Sequence, residues 1–220
     1  MNRTPEPELM LGQEQARAYS KADFEEPHSR FIELFARSFP GEAAAGNVLD
    51  LGCGSADISL RFARAYPQAR IDGVDGSEAM LRFGKEAVCR EGFEERIRLI
   101  HCTLPTRELP QKSYDGVISN SLLHHLQDPQ VLWQTIKQFA RPEAPVFVMD
   151  LMRPASEVQA KEFTETYVAS EPEILKRDFY HSLKAAYRAD EIRTQLDEAG
   201  LNRFTVEMIS DRHMIVWGNV

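Results

Sequence analysis

The sequence has 220 residues, 43% of them apolar, and a formal net charge of -8 at pH 7. This length can bury one substantial core, so one main domain with a small cap is the simplest expectation. The negative charge argues against a nucleic-acid partner, because its long-range field repels phosphate backbones and no lysine-arginine cluster offsets it locally.

Targeting signals and cysteines narrow the class of protein further. Residues 1–10 are polar and contain two prolines, so they supply no apolar stretch for a secretory signal, and no apolar run approaches membrane-spanning length. We therefore expect a cytoplasmic protein with no membrane partner. Cys53, Cys89 and Cys102 form no C-x-x-C pair and have no matching histidine spacing, so neither a disulfide framework nor a metal site is predicted. The sequence gives no indication of oligomeric state.

The first part of the chain predicts one or two helices. Aromatic and aliphatic residues recur at helical intervals over residues 9–39, and Pro40 with Gly41 marks a stop. We assign residues 1–45 to leading helices that act as a cap.

From Asn47 onward, short β-rich runs alternate with helical patterns. The predicted strands are residues 48–51, 70–74, 98–102, 114–119 and 145–151. Apolar stripes at spacings of three and four mark helices after the first two strands, and Asp128 with Pro129 suits the start of a helix before the fifth. The alternation predicts an α/β fold, with a doubly wound, mostly parallel sheet and helices on both faces.

The last part of the chain predicts an insertion and a hairpin. Residues 153–187 have helical character and no strand signal, which indicates a helical cap insertion. A helix over residues 190–199 follows, and then β-rich runs at 203–209 and 212–217. Only two residues separate these runs, a link too short for a crossover, so they are predicted to form a terminal antiparallel hairpin.

The central motif is Val48-Leu49-Asp50-Leu51-Gly52-Cys53-Gly54-Ser55-Ala56-Asp57, an apolar strand that runs into a turn and opens a helix. Glycines let the backbone of such a turn approach a ligand closely. A dinucleotide site favours a third glycine where Asp57 stands, and a carboxylate there would repel a pyrophosphate. S-adenosylmethionine carries a sulfonium and an ammonium but no phosphate, so Asp50 and Asp57 suit it better.

Asp75 supplies the acid that an adenosine site needs. It ends the second predicted strand, 21 residues after Gly54, where a carboxylate can accept hydrogen bonds from both ribose hydroxyls. The alternative is a tight strand-to-helix turn with surface acids. The order strand, loop, helix, strand and acid favours the ligand site.

Three segments resemble the class I S-adenosylmethionine-dependent methyltransferases: Val48-Leu49-Asp50-Leu51-Gly52-Cys53-Gly54, Ile71-Asp72-Gly73-Val74-Asp75-Gly76-Ser77 and Ser113-Tyr114-Asp115-Gly116-Val117-Ile118-Ser119-Asn120. The likeness spans about residues 47–151, and the terminal helix and hairpin resemble the family's closing elements. It implies a Rossmann-like, seven-stranded sheet whose last strand is antiparallel, with residues 46–220 as the methyltransferase domain.

The resemblance also implies a binding site for S-adenosylmethionine. The acid and glycines of the first turn would hold the methionine portion, Asp75 the ribose, and Ser77 with Met80 the adenine. Cys102 and Thr103 stand where many relatives have Gly-Asp, which changes the usual adenine contact. The expected cofactor-binding residues are Tyr19, Asp50, Gly52, Cys53, Gly54, Asp75, Gly76, Ser77, Met80, Cys102, Thr103 and Asn120.

The chemistry requires few special residues, because the methyl carbon is already activated by its sulfonium and alignment supplies much of the rate. His124 and His125 follow the fourth strand, and either one is a general base or a residue whose hydrogen bonds hold the loop. We choose His125 as the catalytic candidate. Arg153, just past the fifth strand, either binds an anionic acceptor or pairs with a nearby acid such as Glu157.

The leading interpretation is a methyltransferase for a small-molecule acceptor. A fold that keeps the cofactor but regulates or scaffolds a partner is the alternative, and a nicotinamide-dependent oxidoreductase is disfavoured by Asp57 and the hairpin. Residues 120–123 lack the Asn/Asp-Pro-Pro-Tyr pattern of many DNA and protein methyltransferases, which also argues against nucleic acid. Aromatic residues of the leading helices and cap either close over an acceptor or pack the helices: Tyr19, Phe24, Tyr167, Tyr180 and Tyr187.

Overall fold

The computed structural model describes residues 1–6, 12–20, 22, 25–41 and 44–220. Within these ranges, seven strands form one sheet in the order β3-β2-β1-β4-β5-β7-β6. The strands are β1 (Gly46–Leu51), β2 (Ala69–Asp75), β3 (Ile97–His101), β4 (Gly116–Asn120), β5 (Pro145–Leu151), β6 (Thr205–Met208) and β7 (His213–Asn219).

The strand order places a crevice at the centre of the sheet. β1 to β5 pair in parallel, and β7 lies antiparallel between β5 and β6. The chain builds outward from β1 to β3, then crosses back to add β4 beside β1. Ligands of doubly wound sheets bind outside the carboxyl ends of the strands at such a reversal of order. The predicted fold class, with its terminal antiparallel hairpin, is confirmed.

Helices cover both faces of the sheet. They are α1 (Gln13–Tyr19), α2 (Glu25–Ser38), α3 (Asp57–Ala65), α4 (Glu78–Arg90), α5 (Gln130–Phe139), α6 (Glu157–Tyr167), α7 (Glu173–Ala185) and α8 (Ala189–Ala199). α2, α3 and α4 bury apolar residues against one face, and α5 and α8 against the other. Neighbouring strand residues serve opposite cores, as a period of two requires: Val48 packs with the first set of helices and Leu49 with the second.

Aromatic packing fixes the leading helix α2 on the sheet. Phe31 meets Phe147 of β5 edge to face, with ring centroids 4.9 Å apart. Phe35 meets Phe62 of α3 at the same separation. Edge-to-face pairs of this kind add about 0.5–1.5 kcal/mol each beyond the burial of their area. The helix that carries His28 is therefore held firmly beside the central crevice.

The insertion after β5 contains α6 and α7 and is braced by the start of the chain. Leu151, Ala160, Leu183 and Ala186 form a small separate core beneath it. The amino group of Met1 donates to the Ala155 carbonyl at 2.6 Å, and the Thr4 N–H to the Lys184 carbonyl at 3.0 Å. Its role as a cap over an acceptor stays a prediction.

Several element boundaries differ from the sequence prediction by one or two residues. The hairpin strands are separated by four residues, 209–212, because the N–H groups of Ile209 and Ser210 both turn toward the His213 carbonyl. β4 begins at Gly116, since Tyr114 forms only an isolated bridge with Ala140. β3 lies one residue earlier than predicted. In the part of the chain described, no helix has the length and apolar character needed to cross a bilayer.

Candidate functional site

Two adjoining cavities open at the carboxyl ends of the parallel strands. The first, here named the cleft, has a volume of about 150 Å³, and its walls come from α1, α2 and the segments that follow β1 to β4. Every residue predicted for the cofactor or the chemistry lines this cleft: Tyr19, Asp50, Gly52, Cys53, Gly54, Asp75, Gly76, Ser77, Met80, Cys102, Thr103, Asn120 and His125. The structure thus brings these residues together, and their individual roles stay predictions.

The glycine turn after β1 has the backbone that the motif requires. Gly52 and Gly54 have φ values of 74° and 53°, in the left-handed region that glycine adopts without strain. A Cβ at position 52 would stand 2.9 Å from the Leu122 Cβ, so the turn lies directly against the segment after β4. Ala56, just before α3, also has a left-handed conformation, with φ of 67°.

Asp75 joins two of the loops that form the cleft. One carboxylate oxygen accepts the N–H of Gly54 and the other the N–H of Ser77, each at 2.8 Å. Burial raises the pKa of Asp75, and the two hydrogen bonds offset part of that rise. The Ser77 hydroxyl accepts the N–H of Met80 at 3.2 Å and so caps the first turn of α4.

The other two acids of the motif lie in different environments. Asp50 is buried and accepts the Ser59 hydroxyl at 2.5 Å, and burial raises its pKa to about 7. Asp57 is bound by His28 Nδ1 at 2.5 Å and by Arg61 Nε at 2.8 Å. Burial alone would raise the pKa of Asp57, but His28 and Arg61 hold it below its usual range. Asp57 therefore faces a positive neighbour of its own, which the motif did not indicate.

Two polar side chains of the cleft are suited to hydrogen-bond a ligand. Asn120 Oδ1 is a buried acceptor without a hydrogen-bond partner among the described residues. Burial raises the pKa of Tyr19 to about 12, so its hydroxyl stays protonated. A buried acceptor of this kind normally has a donor, and a ligand in the cleft is the natural source.

The paired histidines have distinct surroundings. His124 is buried, with 3% of its side chain exposed, and its Nδ1 lies 2.5 Å from Asp150 Oδ1. His125 is 15% exposed, and its Nδ1 lies 3.2 Å from Glu6 Oε1. The rings lie with their centroids 4.1 Å apart. His124 is thus held by a carboxylate of β5, whereas His125 borders the cleft.

The second cavity, here named the chamber, has a volume of about 550 Å³. It shares Tyr19, His28, Asn120, Ser121 and His125 with the cleft, so the two cavities meet. Its remaining walls come from α2, the ends of β5 and β7, and the insertion: Ala22, Glu25, Glu26, Pro27, Ser29, His124, Met149, Leu151, Tyr167, Val168, Glu171, Leu175, Asp178, Phe179, Ser182, Arg212 and His213.

Some of the aromatic residues predicted to close over an acceptor line the chamber, and others make packing contacts elsewhere. Tyr19 and Tyr167 line the chamber. Tyr187 instead donates its hydroxyl to the Leu126 carbonyl at 2.9 Å, and the Tyr180 ring lies beneath the ammonium of Lys184. Phe24 lies outside the described residues.

Arg153 is a structural cation. Its guanidinium is buried and lies 2.5 Å from Glu191, so the ion-pair alternative holds with a different acid from Glu157.

Sequence reasoning missed two residues of the site. His28 lines both cavities. Glu6 contacts both His124 and His125. No motif marks His28 or Glu6, because their place in the site depends on how the leading segment packs.

Comparison with known proteins supports the interpretation of the glycine turn as part of a methyltransferase domain. A family model described as a methyltransferase domain matches residues 48–145. An uncharacterized methyltransferase of Mycobacterium tuberculosis (strain ATCC 25618 / H37Rv) is 30% identical over 108 residues, 49% of this chain and 52% of that protein. The ubiquinone/menaquinone biosynthesis C-methyltransferase UbiE of Syntrophotalea carbinolica is 29% identical over 118 residues, 54% of this chain and 49% of that protein. The chain thus spans about half the length of these relatives.

Solved structures share the whole fold. A SAM dependent methyltransferase from Aquifex aeolicus aligns with a TM-score of 0.66 at 15% identity, over 94% of this chain and 98% of that one. The plantazolicin methyltransferase BpumL, in complex with a triazolic desmethylPZN analog and SAH, aligns with a TM-score of 0.69 at 13% identity, over 94% and 90%. The chain thus contains a match to the methyltransferase-domain family over residues 48–145, and it shares the fold of these solved S-adenosylmethionine-dependent methyltransferases.

Proposed function

We propose that this chain transfers the methyl group of S-adenosylmethionine to a small-molecule acceptor. The observation that carries the proposal is the meeting of the two cavities. The cleft contains the family's glycine turn and Asp75, the chamber is a separate space large enough for a second ligand, and Asn120 and His125 stand in the wall common to both. A transfer reaction needs two ligands whose reacting atoms meet at such a junction.

The cleft fits the cofactor by its hydrogen-bonding character. Asp50 and Asp75 receive their hydrogen bonds from a hydroxyl and from backbone N–H groups. With the free acceptor Asn120 Oδ1, they suit a ligand rich in donors and positive charge. S-adenosylmethionine offers an ammonium, a sulfonium and two ribose hydroxyls, whereas a diphosphate offers only acceptors.

Each residue then has a defined task. When bound, S-adenosylmethionine supplies a methyl carbon activated by the adjacent sulfonium. Asp75 accepts the ribose hydroxyls, and the Tyr19 hydroxyl, protonated at all ordinary pH, donates to the cofactor's carboxylate. The glycine turn lets the backbone lie close to the ligand. His125, at the junction of the two cavities, serves as the general base toward the acceptor.

The chamber limits the acceptor to a compact, partly apolar molecule. Its volume lies within the ordinary range for small-molecule sites of about 300–1,000 Å³. Met149, Leu175 and Phe179 give it apolar walls, while Glu171 and Asp178 make it more acidic than basic. An uncharged or cationic acceptor therefore fits better than an anionic one. The names of UbiE and of the plantazolicin methyltransferase support an acceptor of low molecular weight.

Two measurements test this function. Isothermal titration and thermal melting compare S-adenosylhomocysteine with NAD, and a rise of the melting temperature with S-adenosylhomocysteine alone is expected. Stabilisation by NAD alone would overturn the cofactor assignment. Incubation with methyl-labelled cofactor and fractionated metabolite extracts then tests transfer. Cofactor binding without acceptor-dependent label transfer would favour a regulatory or scaffolding protein.

A further inference from the structure

We propose that Glu6, His124 and His125 bind a divalent transition-metal ion of the zinc type beside the chamber. Their ligand atoms all lie within 4.8 Å of one another. Glu6 Oε1 lies 3.6 Å from His124 Nε2 and 3.2 Å from His125 Nδ1. Metal-ligand distances of about 2.0–2.2 Å in a tetrahedral site place ligand atoms roughly 3.3–3.6 Å apart. The separations to Glu6 are therefore already those of a metal site.

Asp150 prepares His124 for this role. Asp150 Oδ1 lies 2.5 Å from His124 Nδ1, and both side chains are only 3% exposed. A carboxylate on one ring nitrogen fixes the tautomer and orients the other nitrogen, which is the arrangement that ligating histidines ordinarily have. Here the oriented nitrogen is Nε2, the one that faces Glu6. The pair with Asp150 thus leaves Nε2 of His124 directed toward Glu6.

The charge of the cluster favours a cation. Glu6 and Asp150 are two carboxylates with 10% and 3% of their side chains exposed, and the groups between them are two imidazoles. The nearby guanidinium of Arg3 donates to the carbonyls of His124 and Leu126. Buried carboxylates are normally paired or bound to metal, and since Asp150 is already bound to His124, the ion would neutralise Glu6.

The site would have a coordination position open to the chamber. His124 and His125 both line the chamber, and three protein ligands leave the fourth tetrahedral position for a small molecule. Three protein ligands with one open position are characteristic of catalytic zinc, whereas structural zinc sites are closed by four. Ligand spacing along the chain predicts no metal site, because Glu6 is far from the histidines in sequence.

The test begins with binding of the metal alone to the full chain. Protein stripped with a chelator and desalted is dialysed against Zn²⁺, and one bound ion per chain is expected. Substitution with Co²⁺ should give the visible absorption of a four-coordinate ion without a thiolate charge-transfer band. That spectrum separates this site from adventitious binding at Cys89 or Cys102, and a thiolate band would count against the proposal.

Matched variants then locate the ion. Glu6→Gln and His125→Gln should abolish stoichiometric binding, and Asp150→Asn should keep one ion per chain but raise its Kd by about 10- to 100-fold. The control is His101→Gln, an exposed histidine 3.3 Å from Glu78.

Circular dichroism checks that each variant is folded. Binding that survives in both folded ligand variants, or that His101→Gln abolishes, would overturn the proposal. Neither result depends on methyl transfer, so this inference fails or stands separately from the proposed function.

Discussion

The carboxylate of Asp75 accepts the backbone N–H of Gly54 at 2.8 Å, and so the tip of β2 is tied to the glycine turn after β1. The other carboxylate oxygen holds the N–H of Ser77 at the same distance. An ionised carboxylate has about four lone-pair sites, so each oxygen can still accept a ribose hydroxyl. The acid that we assign to the ribose is therefore also the residue that positions the turn.

Replacing Asp75 with alanine should weaken binding of S-adenosylhomocysteine. Loss of a charged hydrogen-bond partner costs about 1–3 kcal/mol, which corresponds to roughly a 5- to 150-fold rise in Kd. Isothermal titration measures the Kd of both proteins for S-adenosylhomocysteine.

The control for Asp75 is Asp72→Asn in the same strand. Asp72 binds Arg98 at 2.8 Å and the Tyr114 hydroxyl at 2.8 Å, and does not line the cleft. This variant should lower the melting temperature and leave the Kd unchanged. Equal losses of affinity in Asp72→Asn and Asp75→Ala would show that Asp75 acts only through stability.

Gly52→Ala tests the close approach of the glycine turn to the segment after β4. Its matched control is Gly92→Ala, since the two glycines have φ of 74° and 73°. A Cβ at position 92 meets nothing within 4 Å, whereas at 52 it would stand 2.9 Å from the Leu122 Cβ.

Placing alanine in a left-handed conformation should lower the free energy of unfolding of both glycine variants by about 1–2 kcal/mol. In Gly52→Ala, overpacking should lower it by about 1–3 kcal/mol more. Urea denaturation measures the free energies of unfolding. Equal losses at the two positions would mean that Leu122 moves aside without cost.

The sequence predicted the sheet and the cleft well because both depend on local pattern. Alternation of apolar residues indicates a strand, and a left-handed turn favours glycine. The positions of β1, its turn and Asp75 can therefore be predicted from neighbouring residues. Tyr114 shows the limit of that reasoning: it is fully buried like a strand residue, yet only one bridge to Ala140 pairs it.

The rest of the site depends on contacts between distant segments. His28 binds Asp57 across 29 positions, and Arg153 binds Glu191 across 38. Periodicity indicates that such side chains are buried, but not which of several acids each will meet. Glu6 reaches the histidines only because the first residues run along the insertion.

Asp50 should make the stability of the protein depend on pH. Burial raises its pKa to about 7 in the folded state, from an ordinary value of 3.8, so the folded protein binds this proton more tightly than the unfolded chain. The free energy of unfolding should therefore fall as pH rises from about 4 to about 7, and the full penalty should persist above that range. The shift corresponds to a few kcal/mol at about 1.4 kcal/mol per pH unit.

The variant Asp50→Asn isolates this effect, because its amide oxygen can still accept the Ser59 hydroxyl. Near pH 4 the variant and the parent protein should be equally stable, and at pH 8 the variant should be more stable by roughly 1–4 kcal/mol. Its affinity for S-adenosylmethionine at pH 8 should nevertheless be lower, since the negative charge is gone. A stability difference that does not change with pH would contradict the assignment.

The two neighbouring histidines should respond to substitution in opposite ways. His124→Gln leaves Asp150 buried without its ionic partner, a change that costs about 3–5 kcal/mol when a buried pair is broken. His125→Gln removes a more exposed ring at the junction of the cavities, so its loss of stability should stay below about 1 kcal/mol. In the metal-free protein, methyl transfer should fall by about 100-fold or more in His125→Gln, because a ring that holds no metal ion can assist proton removal. Denaturant unfolding and label transfer at saturating cofactor measure the two effects separately. If His125→Gln kept full transfer while losing as much stability as His124→Gln, His125 would be a packing residue, and the acceptor would be aligned without it.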